Sequence, residues 1–171
     1  MSNTTDTILA LDPGLRDLGY AVLHGRRLVT SGVLALRRVP KEERLGIARK
    51  NVRVWLRTHR PDVVIVEKTY HHPLPWLDQI HRLSRSARNL ATRQHAAFTM
   101  YSPQSVRATV AGNGRAKKAE AAIAVALRFP QLRVYLTQDR RWKERFWQNM
   151  FDAVALALHH QAATKPPSRG R

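Results

Sequence analysis

The chain contains no cysteine, which excludes a disulfide framework and any thiolate zinc site. Acidic side chains are scarce: twelve Asp plus Glu stand against thirty Lys plus Arg, a formal charge of +18. Apolar runs are short, and none approaches the ~20 residues needed to span a bilayer. The polar N-terminus has no apolar signal-peptide region, and no internal repeat occurs. What remains is a chain of 171 residues with 43% hydrophobic content, enough for one domain with a substantial core. A soluble, cytoplasmic location is expected. So large an excess of positive charge repels itself in the folded state, so a polyanionic partner is expected. Nucleic acid comes first and an anionic membrane surface second.

Apolar periodicity and turn signals give the order of elements. Ile8–Asp12 is a branched apolar run that reads as a buried strand, closed by Pro13-Gly14. Two more strand-like stretches, 19–23 and 28–36, follow through tight turns and predict an antiparallel meander. Residues 41–59 read as an amphipathic helix with Leu45, Ala48, Val52, Trp55 and Leu56 on one face. Pro61 ends it, and Val63–Glu67 is the next strand, a crossover that implies a parallel neighbour. A helix over 76–97, a short strand over 98–101 and a helix opened by Ser102-Pro103 come next. An Ala-rich helix over 117–129 and a closing helix over 142–161 complete the pattern. The expected fold is α/β, a five-stranded mixed sheet flanked by helices. It fills residues 7–161, with a flexible lead over 1–6 and a basic, proline-broken disordered tail over 162–171.

Two of the apolar runs end in a carboxylate, Asp12 and Glu67, and a third acid, Asp152, is set in the apolar helical stretch Met150–Leu158. Charge at such positions is costly unless something compensates it. Each has an ordinary alternative. Asp-Pro-Gly is a turn signature, Glu67 can pair with Lys68, and Asp152 can be the exposed position of an amphipathic helix. Together the three fit a carboxylate cluster holding two hard cations such as Mg²⁺, which take oxygen ligands. Such an ion pair activates water and stabilises the leaving oxygen of a phosphodiester. Acids gathered beneath a basic surface outline a metal-dependent nuclease.

The segment Ile8-Leu-Ala-Leu-Asp-Pro-Gly-Leu-Arg-Asp-Leu-Gly-Tyr-Ala-Val22 resembles the first motif of the RuvC Holliday-junction resolvases. Val63-Val-Ile-Val-Glu-Lys-Thr-Tyr70 resembles the second. The stretch from Tyr101 to Lys118, with its Gly112-Asn113-Gly114, is similar to the family's basic segment, and Asp152–His160 to its closing acidic helix. The matches run in family order over residues 7–161. The resemblance implies an RNase H-like fold and a homodimer that resolves four-way DNA junctions by paired, metal-dependent hydrolysis, with two Mg²⁺ per subunit and Mn²⁺ as a substitute. Carried over by position, Asp12, Glu67 and Asp152 become catalytic metal ligands and Lys118 a catalytic cation that stabilises charge developing on the phosphate. Tyr70 falls where the family stacks a ring on an unpaired base. Arg107 and Lys118 fall near the scissile phosphate, with Arg115 and Lys117 adding DNA-binding charge beside them. A branch-migration motor is a further partner that the resemblance leaves open.

One position departs from the family pattern. Where many members carry an acid three residues before the last, this chain has Asn149, on the same helix face as Asp152. Its amide oxygen can serve as a neutral, weaker metal ligand. That departure keeps open a junction-binding protein with weak catalysis. Fold and metal site alone also leave open an RNase H-like nuclease acting on RNA or other branched DNA. His159 and His160 lie two turns beyond Asp152, too far to share its ions. Among the remaining features, Arg82, Arg85, Arg88 and Arg93 form a basic helix face, 139–145 is a charged segment, and His71-His72 lacks a third ligand at metal spacing.

Overall fold

The computed structural model describes residues 6–14, 16–69, 77–136 and 141–164, with side chains in the last stretch from Phe146 onward. Tyr70, the His71-His72 pair, residues 139–140 of the charged 139–145 segment and the tail beyond Thr164 lie outside the described residues. Strands β1 (Thr7–Pro13), β2 (Asp17–His24) and β3 (Arg27–Ala35) form the antiparallel meander, and β4 (Val63–Glu67) and β5 (Ala97–Tyr101) extend it with parallel pairing. The sheet order is β3-β2-β1-β4-β5. The expected five-stranded mixed sheet is the observed one.

Helices α1 (Lys41–His59) and α2 (Leu77–Arg93) cover one face of the sheet. Helix α1 carries Glu42 and Glu43 in its first turn and Arg57 and His59 in its last, which complements the helix dipole. On the other face lie α3 (Pro103–Ala111), α4 (Lys118–Arg128) and the long closing helix α5 (Arg141–Thr164). The Ser102 hydroxyl caps α3 by accepting from the Ser105 N–H at 3.2 Å, with Pro103 in the first turn as expected.

Two boundaries differ from expectation. Helix α2 stops at Arg93 rather than near residue 97, because His95 adopts a left-handed φ of 59° that ends the helix and frees Ala97 for β5. Beyond α4, Pro130 opens a 3₁₀ turn over Pro130–Tyr135 that the sequence pattern did not predict.

Strand alternation sorts the core into two layers. Leu9, Leu11, Val64 and Val66 pack toward α1 and α2. Ile8, Ala10, Val63 and Ile65 pack toward α5, whose Met150, Ala153, Val154 and Ala157 are buried against them. The same period of two carries Asp12 and Glu67 onto the α5 side. Parallel pairing matches Ile8 with Val63 and Leu11 with Val66. Extending that register by one residue sets Asp12 level with Glu67.

Candidate active site

Asp12 is buried, 7% exposed, beside Glu67 at the carboxyl end of the sheet. Across from them Asp152, 9% exposed, projects from α5. How α5 comes so near follows from Gly19, which pairs with Asp12 across β1 and β2. A Cβ built on Gly19 would lie 1.9 Å from the Asn149 carbonyl oxygen. Only a residue without a side chain lets the α5 backbone settle on β2 there.

The three acids share one electrostatic field. Burial raises the Asp12 pKa well above the usual carboxylate range, and the Glu67 and Asp152 charges raise it further, against a lowering by Lys118. Burial and then Asp152 push Glu67 up to about 7, opposed by Lys118 and Arg107. Lys118, at the first position of α4, donates to Asp152 Oδ2 at 3.0 Å. Burial disfavours its ammonium, yet the attraction of Asp152, Asp12 and Glu67 outweighs that and raises its pKa. The other oxygen of Asp152 accepts from Gln148 Nε2 at 2.8 Å.

Asn149 donates through Nδ2 to the Asp17 carbonyl at 3.1 Å, which ties α5 to the start of β2. The amide nitrogen offers no lone pair to a cation, so Oδ1 is the atom able to coordinate. Asp17 is itself buried and held by Arg37, with Nη2 to Oδ2 at 2.6 Å and Nε to Oδ2 at 2.7 Å.

Arg107 stands on α3 close enough to lower the Glu67 pKa, and its Nε is buried without a hydrogen-bond partner. A buried donor left unpaired is costly and fits an anionic ligand supplied from outside. Arg115 and Lys117 are exposed on the approach to α4. His159 and His160 are engaged elsewhere, through Nδ1 with the Thr109 hydroxyl at 2.7 Å and the Tyr101 hydroxyl at 2.8 Å. On α2, Arg82 pairs loosely with Asp78 at 3.8 Å and Arg88 lies over the Phe98 ring.

Among the described residues, no three His, Asp or Glu side chains stand close enough to form a complete metal-binding group as they are. The acids influence one another through the field while Asp152 is drawn to Lys118. Even so, the residues present fit hard divalent cations. The donors are all oxygens, and two buried carboxylates with the half-buried Glu67 face one ammonium and one nearby guanidinium. Gln148, Asp17 and Arg37 were not predicted from sequence. Only Gln148 left a signal, the i, i+4 spacing to Asp152.

Carboxylates ending two adjacent strands of a mixed sheet, with a third on the helix laid across them, define the RNase H-like class. The family model for crossover junction endodeoxyribonuclease RuvC matches residues 8–160. The chain is 30% identical over 168 residues to the RuvC of Renibacterium salmoninarum, covering 94% of this chain and 82% of that protein. It is 33% identical over 166 residues to the RuvC of Azorhizobium caulinodans, covering 94% and 92%. The Thermus thermophilus RuvC in complex with Holliday junction substrate matches with a TM-score of 0.71 at 25% identity, covering 91% of this chain and 92% of that one. This chain belongs to the crossover junction endodeoxyribonuclease RuvC family.

Proposed function

We propose that this protein is a structure-selective endodeoxyribonuclease that resolves four-way DNA junctions by paired phosphodiester hydrolysis. One observation carries the reading: Asp12, Glu67 and Asp152 load a single buried site with negative charge that their own neighbours do not balance. Two Mg²⁺ ions, replaceable by Mn²⁺, would be held there by the three carboxylates with Asn149 Oδ1 as a neutral ligand. When bound, such ions neutralise the phosphate and promote attack by water. Lys118 and Arg107 contribute cationic charge where the phosphate gains negative charge in the transition state. The +18 charge draws the junction in. Tyr70 would stack on an unpaired base, and Arg115 and Lys117 would follow the backbone.

A two-fold symmetric junction needs two cuts, and an isologous dimer supplies two identical sites. Cleavage of a labelled immobile four-way junction in Mg²⁺, read for symmetric paired nicks, tests the assignment. Parental cutting by Glu67→Gln overturns it. A second reading, binding without cutting, is favoured by the fact that both Asp152 oxygens are already occupied by Lys118 and Gln148. Junction affinity with no nicking in Mg²⁺ or Mn²⁺ would establish that reading. Faster cutting of structured RNA or flaps would move the substrate class.

A further inference from the structure

Beside the carboxylates a cleft of about 480 Å³ opens between α4, the 3₁₀ turn and α5, within the size range of small-molecule sites. Its inner side is buried Ala122 and Phe151. The outer walls are Ile123, which is 51% exposed, with Tyr135 and Leu136. The Tyr135 ring is braced by Trp147, with ring centroids 4.3 Å apart. At the rim stand Lys118 and Gln148, the two side chains bonded to Asp152. The cleft is therefore apolar within and opens onto the catalytic carboxylate.

We propose that this cleft receives an unstacked nucleobase flanking the scissile phosphate. The proposal rests on the junction-nuclease function above and deepens it by locating a base-specific subsite. The occupant must lie in the cleft while an attached anionic group reaches Lys118, and a nucleotide does this by its covalent structure. A base has two apolar faces for Ile123 and Tyr135, and a polar edge that the Gln148 amide can read. Unpairing costs least where the duplex is already interrupted, as at a crossover. Because Gln148 also holds Asp152, a well-seated base acts on the same side chain that orients the carboxylate, so the site couples base identity to cutting. A protein partner is the competing occupant, since Leu127 and Val134 are exposed on the same elements.

The test uses the full-length protein and a four-way junction carrying 5-iodouracil in turn at each nucleotide flanking the cut, irradiated without divalent cation. A cross-link to the tryptic peptide spanning 134–140, from one flanking position only, is the expected result. Ile123→Trp fills the cleft and should remove that cross-link while junction affinity stays within about twofold. In Mg²⁺, changing the base at that position should alter parental cutting by about tenfold or more, and this preference should flatten in Ile123→Trp. Circular dichroism shows whether the variant is folded, and Tyr135→Ala, expected to weaken the preference without blocking the cleft, serves as the second variant. No cross-link to the 134–140 peptide, or an unchanged base preference in folded Ile123→Trp, overturns the subsite while paired nicking by the parent leaves the nuclease reading intact. A cross-link without nicking has the opposite meaning.

Discussion

Asp12 and Gly19 face each other across β1 and β2, and the bare Cα of Gly19 lets the α5 backbone, through the Asn149 carbonyl, approach that pair. The distance between the strand-borne acids and Asp152 is thus set by a residue with no chemistry of its own.

Gly19→Ala should therefore damage both stability and cleavage. The added methyl must push α5 away from the sheet, and overpacking of this kind costs about 1–3 kcal/mol. For a chain of this size that is a melting temperature lower by roughly 2–12 °C, measurable by thermal denaturation. Cleavage should fall more than binding, because the helix carrying Asp152 moves while the basic surface stays. Parental melting and cutting would show that α5 does not rest on this contact.

Removing one charge from the acid cluster should separate stability from activity. Glu67→Gln and Asp12→Asn relieve a buried repulsion, so the cation-free protein should melt at a higher temperature than the parent. Junction cleavage should drop by about 10²-fold or more, with affinity in the absence of divalent ions unchanged or improved. A cation-free variant less stable than the parent would contradict the charge imbalance described for the site.

The pH dependence follows with a definite sign. The folded protein holds the Glu67 proton to about pH 7 against an ordinary value of 4.5. Between those values the folded state binds more protons than the unfolded one. This contribution is fully present below pH 4.5 and is lost as pH rises through 7. His159 and His160, lowered by burial, act in the opposite direction and lose stability as pH falls below 6.5. Denaturant titrations of parent and Glu67→Gln in chelator isolate the Glu67 part, because the histidines cancel in the difference. That difference should grow from pH 4.5 to 7 and flatten above; a constant difference would remove Glu67 from the coupled site.

Asn149→Asp should strengthen divalent-ion binding, read by calorimetry, since a fourth carboxylate joins the site. It should also destabilise the cation-free protein, because the donor to the Asp17 carbonyl at 3.1 Å is replaced by an acceptor. Asn149→Ala should lower stability without raising ion affinity. Parental ion binding and cleavage in both variants would place Asn149 outside the metal site.

The backbone of this site is legible in the sequence because strand periodicity is short-range. Asp12 follows Ala10 by two residues and Glu67 follows Ile65 by two, so each acid must face where its apolar partner faces. Asn149 and Asp152 share a helix face by the same local logic. The closing of Lys118 on Asp152 spans 34 residues and exists only once α4 packs on α5. Sequence placed Lys118 near the phosphate but not in an ion pair with an acid of the same site. Asp17 leaves no local signal because it lies at the polar start of β2, just after the Pro-Gly turn, and its Arg37 partner lies beyond β3. The 3₁₀ turn was hidden because Pro130 reads as a stop signal, although here it starts a new turn. The residues that line the proposed base cleft come from three elements, which no local pattern could join.

The level placement of Asp12 and Glu67 on parallel strands has one more consequence. A one-residue slip of β4 against β1 would send Glu67 to the opposite surface, among the leucines under α1 and α2, and would expose the apolar set with it. Folding error and chemical incompetence are therefore the same event. Any molecule that completes its hydrophobic layers has already aligned its acids, and a misregistered one is disarmed before it can meet DNA.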